Sequence, residues 1–281
     1  MTTPPPSARS TGGKSRFEDI YDQPDPRPYF TRLKPLQYEI PHHAQDVFRR
    51  TAAARTALPD NGTGPPWVLD ACCSYGINAA LLNHDLTLAD LYDHYTGPQA
   101  QRLTTDELIL WDKEFYAAHR RPDAFPVLGL DIATRAVRYA QSVGLLDAAL
   151  TDNLEHHPPG PDFPQSMENV GLITLTGGGS YITHRTFDAL LRAARRPVWV
   201  SAFFLRTVSY TPLTATLAAH GLHTATDPHR TWPQRRFTGP REQQHAIEAA
   251  RTLGTDPTGR EQAGWFHTVL HESRPPGHRL P

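Results

Sequence analysis

The stretch that decides the fold of this chain is Val68-Leu69-Asp70-Ala71-Cys72-Cys73-Ser74-Tyr75-Gly76-Ile77-Asn78-Ala79-Ala80-Leu81-Leu82. Its apolar start follows two prolines and is typical of a strand buried on both faces of a parallel sheet. The apolar residues after Gly76 recur at helical spacing and predict a helix packed on that sheet. A strand, a turn of small residues and a helix N-terminus bring backbone N–H groups and the Asp70 carboxylate to one point, where nucleotide-type ligands dock in doubly wound folds. The same pattern also fits a strand, turn and helix that bind no ligand.

Length and composition are typical of a soluble globular protein. The chain has 281 residues, 38% hydrophobic and 20% charged, which suits one large domain or a domain with an attached cap. A net charge of -1 leaves no electrostatic footprint for nucleic acid or an anionic membrane, so we expect neither as a partner. The two cysteines, Cys72 and Cys73, are neighbours that would form a strained disulfide, which favours a reducing, cytoplasmic location. Neither a secretory apolar segment nor a run of 18 apolar residues is present.

Changes in composition divide the chain into segments. Residues 1–15 are rich in proline, serine, threonine and glycine and predict a disordered tail, and residues 276–281 a second tail. Residues 16–64 are aromatic and punctuated by prolines, and predict a helical cap with a longer helix from Pro41 to about residue 57. Residues 65–275 form the main domain. Two helical patterns within residues 84–125 predict a helical insertion into it.

Strands and helices alternate through the main domain. After the opening strand, buried strands are predicted at 127–131, 148–152, 170–176 and 197–204, with helices at 183–195 and 211–220 among the elements between them. The C-terminal part predicts a strand around Thr224, a polar loop, a helix over 240–253 and a last strand over 265–271. This alternation favours a doubly wound α/β fold, a mostly parallel sheet with helices on both faces.

Acidic residues follow the first three strands: Asp70, Asp131 and Asp152, the last followed by Asn153. Because the carboxyl ends of parallel strands lie along one edge of the sheet, we expect these side chains to face one ligand site. An acid after the second strand is placed to take a ribose diol through two charge-assisted hydrogen bonds. NAD is disfavoured, because the turn lacks G-x-G-x-x-G and the second acid lies about sixty residues after the first instead of roughly twenty.

These segments resemble the motifs of a known family, the class I S-adenosylmethionine (SAM) dependent methyltransferases. Residues 68–76 resemble its first motif, Gly129-Leu130-Asp131-Ile132-Ala133 its second, 151–155 the segment beside the adenine, and 175–177 its fourth motif. The resemblance covers roughly residues 65–271 and implies a Rossmann-like, seven-stranded sheet whose last two strands form an antiparallel hairpin. It implies SAM as cosubstrate or sole substrate, held by Asp70, Cys72, Cys73, Ser74, Tyr75, Gly76, Asp131, Ile132, Asp152, Asn153, Leu154, Thr176 and Gly177.

Two departures from that family pattern stand out. Cys72 and Ser74 occupy positions where the first motif normally has glycine, and their side chains limit how closely the backbone approaches the methionine part of SAM. The insertion at 84–125 is longer than the usual connection, and we expect it to join the N-terminal segment in covering the site.

Four side chains are candidates for catalysis: Tyr181, Asn153, Tyr29 and Tyr38. The ring of Tyr181 is placed to face the sulfonium of SAM or to orient an acceptor. The alternatives are a core tyrosine at 181, a plain loop asparagine at 153, and aromatic packing within the cap, which also contains Tyr21 and Phe30.

Other patterns carry no predicted chemistry. We expect no metal, because the paired histidines 42–43 and 156–157 lack the spacing of a zinc site. Cysteine nucleophiles have no predicted partner, so small residues packing in a turn are favoured at 72 and 73. The arginine pairs 195–196 and 235–236 are predicted to be solvated surface.

The predicted function is that of a transferase using SAM in small-molecule, specialised metabolism, with methyl transfer to a small acceptor favoured. An alternative within the same resemblance is attack of the amino group of SAM on its own γ-carbon, as in the azetidine-2-carboxylate synthases, giving azetidine-2-carboxylate and methylthioadenosine. Transfer of the 3-amino-3-carboxypropyl group is a third option, and a non-enzymatic SAM- or nucleotide-binding module is a fourth. The sequence does not set the oligomeric state.

Overall fold

A computed structural model describes residues 17–59, 62 and 64–278. The predicted disordered tail at 1–15 and residues 279–281 of the predicted C-terminal tail lie outside the described residues. The helices are α1 (Glu18–Tyr21), α2 (Arg27–Leu33), α3 (Ile40–Thr56), α4 (Ile77–Asn83), α5 (Leu88–Thr96), α6 (Pro98–Arg102), α7 (Thr105–His119), α8 (Thr134–Ser142), α9 (Phe163–Ser166), α10 (His184–Ala193), α11 (Thr211–Ala219) and α12 (Pro240–Thr252). Short 3-10 turns cover Lys34–Leu36, Gly178–Ser180 and Glu261–Ala263.

The described strands form one sheet of eight. They are β1 (Trp67–Ala71), β2 (Val127–Leu130), β3 (Ala148–Leu150), β4 (Val170–Thr176), β5 (Trp199–Leu205), β6 (His223–Thr226), β7 (Trp232–Arg236) and β8 (Trp265–Arg274). Their order is β3-β2-β1-β4-β5-β8-β6, with β7 also paired to β8. Strands β1 to β5 are parallel to one another, and β8 runs antiparallel to β5, β6 and β7. The prediction of a doubly wound, mostly parallel α/β sheet is confirmed.

The predicted antiparallel pairing of the last two strands is confirmed by β6 and β8, and the sheet contains one strand more than predicted. The stretch that the sequence assigns to a polar loop contains β7, whose residues pair with the first part of β8, while β6 pairs with the last part. One long strand thus carries two short partners along the same edge, and α12 lies between β7 and β8 in the chain. The sheet therefore has eight strands instead of seven, and its last two strand positions are not joined by a simple hairpin.

Two apolar layers enclose the sheet. Val68 of β1, Leu172 of β4 and Phe203 of β5 belong to the layer that includes α3, α4 and α8. Residues one position further along the same strands, such as Leu69 and Ile173, belong to the layer that includes α10 and α11. This alternation follows from the two-residue repeat of a strand, and a strand buried on both faces must be apolar on both.

Capping residues explain where the insertion helices begin. Thr87 and Asp90 form a capping box at α5, and Thr104 and Glu107 form one at α7, each side chain bonding the other's backbone N–H. These exchanges satisfy N–H groups that a helix start otherwise leaves without partners. The predicted helical patterns in this segment correspond to α5 and α7.

A buried carboxylate joins the insertion to the main domain. Asp112 of α7 is 0% exposed and accepts hydrogen bonds from His94 Nε2 (2.7 Å), Tyr95 (2.5 Å) and Tyr139 of α8 (2.6 Å). The His94 ring lies between Trp111 and Phe115, with ring centroids 3.9 and 4.0 Å away. Three partners compensate the cost of burying the carboxylate, and they fix α5, α7 and α8 to one another.

The N-terminal helices are attached to both the turn after β1 and the insertion. The hydroxyl of Tyr75 accepts from the backbone N–H of Gln23 (2.8 Å) and lies 3.1 Å from the carbonyl oxygen of Ile20. Arg27 donates to the carbonyl oxygens of Ala100 and Leu103. None of the helices in the described ranges is long and apolar enough to cross a membrane.

The prediction that both arginine pairs are solvated is wrong for one member of each. Arg196 is 7% exposed and donates to the carbonyl oxygen of Gly64 (2.7 Å). Arg235 is 2% exposed and makes a two-pronged ion pair with Glu242 (2.7 and 3.0 Å). A guanidinium can be buried where fixed acceptors match the geometry of its N–H donors. No pattern in the sequence predicted these acceptors.

The Asp112→Ala variant is expected to lose about 3–5 kcal/mol of unfolding free energy, because it leaves a buried histidine and two buried hydroxyls without their acceptor. Urea unfolding followed by circular dichroism measures this. The control is Asp93→Ala on α5, whose carboxylate makes an exposed pair with Lys34 (3.3 Å) and is expected to cost less than about 1 kcal/mol. Equal losses in the two variants would contradict the role assigned to Asp112.

Candidate active site

A cavity of about 410 Å³ opens at the carboxyl ends of β1, β2 and β4. Its volume falls within the roughly 300–1,000 Å³ typical of small-molecule sites. The N-terminal helices form one side of it, the loops after β2 and β3 another, and β7 a third. The lining residues are Phe17, Tyr21, Asp22, Tyr29, Leu33, Tyr38, Pro41, Cys72, Cys73, Ser74, Ile77, Asn78, Leu130, Asp131, Ile132, Ala133, Asp152, Asn153, Leu154, Glu155, Thr176, Gly177, Gly178, Tyr181, Ile182, Thr186, Gln234 and Arg235.

The turn after β1 has an unusual backbone. Cys72 (φ 56°), Ser74 (φ 48°) and Gly76 (φ 77°) are all left-handed. This conformation is nearly free for glycine and costs other residues roughly 1–2 kcal/mol each. Cys72 and Ser74 thus keep the backbone path that glycines would follow, and they add side chains that face the cavity.

Asp131 is held in place by two backbone N–H groups. Its Oδ2 accepts from Ser74 (2.9 Å), on the turn after β1, and its Oδ1 accepts from Ala133 (2.9 Å). Burial raises the pKa of Asp131, against the effect of these hydrogen bonds. Each oxygen retains a second lone pair, so the carboxylate presents two acceptors to the cavity at a fixed orientation.

Asp70 does not line the cavity. It is 1% exposed, and its Oδ1 accepts from Asn78 Nδ2 (2.9 Å) and the hydroxyl of Thr174 (3.2 Å). Its Oδ2 has no partner among the described residues. Burial raises the pKa of Asp70 to about 7, although both hydrogen bonds favour the charged form.

A chain of hydrogen bonds leads from Asp70 to the cavity. Asn78 also donates to the hydroxyl of Thr176 (3.0 Å), at the end of β4. The hydroxyl of Tyr38 in turn contacts Thr176, Tyr29 and the side-chain amide of Gln234. Gly177 allows the Tyr38 hydroxyl and Gln234 Nε2 to lie close together, because a Cβ at residue 177 would lie 2.9 Å from both atoms.

Tyrosine rings surround the β4 end of the cavity. Tyr21 lies edge-on to Tyr181 with ring centroids 6.4 Å apart, and Tyr29 contacts both Tyr21 (6.0 Å) and Tyr38 (6.2 Å). Burial raises the pKa of Tyr38 to about 12 and raises those of Tyr21 and Tyr29 as well. These phenols are therefore neutral at physiological pH, and the partial negative charge of their ring faces attracts cations.

The loop after β3 supplies polar groups that are already engaged. Asp152 Oδ1 accepts from the backbone N–H of Gly160 (2.8 Å). Glu155 accepts from the N–H of Thr183 (2.7 Å) and the hydroxyl of Thr186 (2.6 Å) at the start of α10, and these hydrogen bonds lower its pKa below the usual value. Leu154 between them is buried, Ile132 is 63% exposed, and both of these apolar residues line the cavity.

Most of the predicted site residues line this one cavity. All four candidates for catalysis are among them: Tyr181, Asn153, Tyr29 and Tyr38. Ten of the thirteen predicted cofactor-binding residues also line it, and the other three, Asp70, Tyr75 and Gly76, lie behind the wall. Phe30 is absent from the lining and stacks on Tyr95 instead, with centroids 4.6 Å apart. The roles predicted for these residues stay predictions.

The strand order decides the type of fold. A parallel sheet with β1 and β4 at its centre, an antiparallel strand inserted between β5 and β6, and a ligand-sized cavity at the β1, β2 and β4 ends are now in view. This is a Rossmann-like fold, and the strand arrangement is consistent with that of the class I SAM-dependent methyltransferases. No described group of three or more metal-ligating side chains forms a metal site.

Comparisons with known proteins add distant structural likenesses. No protein-family profile matches this sequence, and no curated protein matches it. Magnesium protoporphyrin IX methyltransferase from Synechocystis PCC 6803, solved with SAM, is 16% identical with a TM-score of 0.41 over 88% of this chain and 83% of that one. YcgJ from Bacillus subtilis is 12% identical with a TM-score of 0.45 over 83% and 98%. The plantazolicin methyltransferase BamL is 10% identical with a TM-score of 0.43 over 82% and 84%. Likenesses at this level do not identify the reaction of this chain.

Several residues of this site were not predicted from the sequence. Asn78 lies on α4, just after the turn. Its position one helical turn beyond Ser74 could have been used to predict that it belongs to the site. Gln234 and Arg235 come from β7, more than fifty residues beyond the predicted fourth motif, and lie in a stretch whose polarity suggested a loop. Nothing in the sequence indicated that they would face Gly177.

The Asp70→Asn variant is expected to change how stability depends on pH. Because the folded pKa is raised above the unfolded one, the folded chain keeps a proton that the unfolded chain loses, so this group's contribution falls as pH rises from about 4 to about 7 and then levels off. The unfolding free energy of the variant minus that of wild type should therefore increase across that window. Urea unfolding at a series of pH values measures this difference.

The control for this experiment is Asp123→Asn. That carboxylate is exposed, and its bond to Arg121 (3.0 Å) lowers its pKa. For Asp123→Asn, the difference in unfolding free energy from wild type should stay constant across most of the same pH window. The reason is that the wild-type group is ionised in both the folded and unfolded chains. A constant difference for Asp70→Asn as well would show that Asp70 does not hold a proton in the folded state.

Proposed function

We propose that the protein is an enzyme that uses SAM in small-molecule metabolism. The observation that carries the proposal is Asp131: a half-buried carboxylate, oriented by two backbone N–H groups, with one free acceptor direction on each oxygen and an apolar neighbour at Ile132. A ribose diol has two hydroxyls at the spacing of two carboxylate oxygens, and a purine is a flat apolar surface. The ribose and the purine therefore match the Asp131 carboxylate and the Ile132 side chain at this end of the cavity.

The rest of the cavity fits the methionine part of SAM. Ser74 and Gln234 line the cavity, and their buried side-chain oxygens, Ser74 Oγ and Gln234 Oε1, have no partner among the described residues. Buried polar atoms without partners are rare in folded proteins and mark places where a ligand or water binds. The tyrosine rings beyond them suit a sulfonium, which is a cation with an apolar exterior. When bound, SAM supplies an electrophilic carbon next to that sulfonium.

Methyl transfer to a small acceptor is the first candidate reaction. Such a transfer needs the nucleophile, the methyl carbon and the sulfur in line and water excluded, and much less from acid–base groups. The cavity matches these needs: its acidic side chains are engaged in structural hydrogen bonds, its phenols are neutral, and helices α1 and α2 form one side of it. We also propose that residues 16–64 act as a cap over the site, with residues 65–275 as the SAM-binding domain.

Cyclisation of SAM to azetidine-2-carboxylate is the second candidate, favoured by one observation. The left-handed turn keeps the backbone path of a glycine-rich loop but places the side chains of Cys72 and Ser74 in the cavity. These atoms occupy space that an extended methionine tail would take, and a folded tail brings its amino group towards its own γ-carbon. Transfer of the 3-amino-3-carboxypropyl group needs the same bond cleavage with a separate acceptor.

The Asp131→Ala variant is expected to bind SAM roughly 100-fold more weakly, because two hydrogen bonds to a charged group, each worth about 1.5–3 kcal/mol, are lost. Isothermal titration calorimetry measures the affinity. Asp123→Ala removes an exposed carboxylate that does not line the cavity, and this variant should bind as wild type does. Unchanged affinity in Asp131→Ala would remove the basis of the proposed ribose site.

Incubation of the protein with SAM alone, followed by mass spectrometry, separates the reactions. Methyl transfer predicts that SAM stays intact until an acceptor is added and then yields S-adenosylhomocysteine. Cyclisation predicts methylthioadenosine and azetidine-2-carboxylate without any acceptor. A sample without protein corrects for spontaneous breakdown of SAM. If SAM binds and no product forms with any acceptor in a panel of amines, alcohols and thiols, the protein is a SAM-binding module.

A further inference from the structure

We infer that this cavity distinguishes its ligands by charge. It binds the sulfonium of SAM more tightly than the neutral thioether that a reaction of SAM leaves behind, and Asp22 sets part of this preference. The preference rests on the proposed function and deepens it, because it separates the substrate of the site from its product. Methyl transfer and cyclisation both turn the sulfonium into a neutral thioether, so the preference applies to either reaction.

The lining of the cavity has an excess of negative charge. Its charged residues are four carboxylates and one guanidinium: Asp22, Asp131, Asp152, Glu155 and Arg235. No lysine or histidine is among the described residues that line it. The guanidinium of Arg235 is held by both carboxylate oxygens of the buried Glu242 (2.7 and 3.0 Å). Since the whole chain has 28 basic and 29 acidic residues, this excess is local to the cavity.

Backbone amides hold the four carboxylates in place. The N–H donors are those of Arg135 to Asp22 (2.6 Å), Ser74 and Ala133 to Asp131 (2.9 Å each), Gly160 to Asp152 (2.8 Å) and Thr183 to Glu155 (2.7 Å). Such donors favour the charged form of a carboxylate and leave its negative charge in place. None of the four takes part in an ion pair within the described chain, so their charge remains available to a ligand.

This negative charge reaches the place proposed for the methionine part of SAM. With a volume of about 410 Å³ the cavity is on the order of 10 Å across, about one Debye length. The thiol of Cys72 lines it at the turn after β1; burial raises the pKa of this thiol, and nearby carboxylates, Asp131 foremost, raise it further. The neighbouring Arg135 and Arg185 are exposed and outside the lining, so water screens their charge. A cation at this turn is therefore attracted by the lining.

The reaction removes that attraction. The sulfonium gives SAM a positive charge that S-adenosylhomocysteine lacks, whereas the adenosine, ammonium and carboxylate groups are the same in both. When a carbon–sulfur bond breaks, its electron pair goes to sulfur, which becomes a neutral thioether. The nucleophile gains the carbon and releases its proton to solvent. At an effective dielectric constant of about 40, each carboxylate about 10 Å away strengthens the binding of a cation roughly fivefold. The affinity of the site therefore falls as the product forms.

Asp22 is the carboxylate whose charge can be removed with the least change in structure. It is exposed and lies at the side of the cavity formed by the N-terminal helices. Asp22→Asn keeps a side-chain oxygen that can accept from the N–H of Arg135, so the contact with α8 is retained. By contrast, Asp131 belongs to the proposed ribose site, and Glu155 holds the start of α10.

The test is calorimetry with sinefungin and with S-adenosylhomocysteine. Sinefungin is an unreactive analogue of SAM in which a carbon bearing an ammonium group replaces the methylated sulfur, so it keeps the positive charge. Wild type should bind sinefungin roughly tenfold more tightly than S-adenosylhomocysteine. In Asp22→Asn this ratio should fall roughly fivefold, because sinefungin alone binds more weakly. Equal weakening of both ligands would show that Asp22 only supports the shape of the cavity, and would overturn the inference.

Asp123→Asn is the matched control. It changes the net charge of the chain by the same amount, but Asp123 is exposed and does not line the cavity. The ratio of the two affinities should equal that of wild type. A fall as large as in Asp22→Asn would assign the effect to the overall charge of the protein and would count against the inference.

Salt gives a readout that needs no variant. Raising sodium chloride from about 0.05 M to about 0.5 M shortens the reach of the lining charges, so wild type should bind sinefungin several-fold more weakly and S-adenosylhomocysteine unchanged. If wild type binds both ligands equally and salt changes neither, the inference is wrong and the proposed function stands. If wild type binds neither ligand and does not bind SAM, the proposed function itself is refuted.

Discussion

The hydrogen bond from the Ser74 amide to the Asp131 carboxylate is the contact on which the candidate site depends. It joins the turn after β1 to the end of β2, two segments that the long insertion separates in the chain. The amide points at Asp131 because the turn is left-handed at Cys72, Ser74 and Gly76. The left-handed conformation costs free energy at the two residues of the turn that are not glycine. The same conformation fixes the orientation of the Asp131 carboxylate.

The N-terminal segment makes polar contacts with three other parts of the chain, and that turn is one of them. Tyr75, the next residue, holds the N-terminal helices through the backbone of residues 20–23. Asp22 in that segment accepts from the N–H of Arg135 at the start of α8 (2.6 Å), so the N-terminal segment is also tied to the loop after β2. On the other side, Tyr38 meets Gln234 of β7 over Gly177. The cavity wall is therefore built from the beginning, the middle and the last third of the described chain.

The sequence was sufficient for the central sheet and for the residues at its strand ends. Apolar runs such as 127–130 and 170–176 are bounded by turn residues, and a strand buried on both faces leaves few alternatives for such a pattern. Asp131 and Thr176 could be assigned to the site for the same reason, since the end of a parallel strand fixes where the next residue lies.

Contacts between segments that are distant in the chain could not be predicted from the sequence. The strand β7 reads Trp-Pro-Gln-Arg-Arg, which has no apolar alternation, and it exists because β8 offers a free edge. Arg235 is buried because Glu242 lies opposite it, and that pairing depends on how α12 folds back. Tertiary partners of this kind decide burial and strand formation where local propensity is weak.

The place of β8 in the sheet has a consequence for the order of folding. Strands β6 and β7 pair with β8 and with no other described strand, whereas β1 to β5 form a continuous parallel sheet by themselves. During synthesis from the N-terminus, β6 and β7 therefore have no sheet to join until residues 265–274 have emerged. The half of the cavity that contains Gln234 is then assembled last, onto a half that is already formed. An incomplete chain therefore has the Asp131 side of the cavity before it has the Gln234 side.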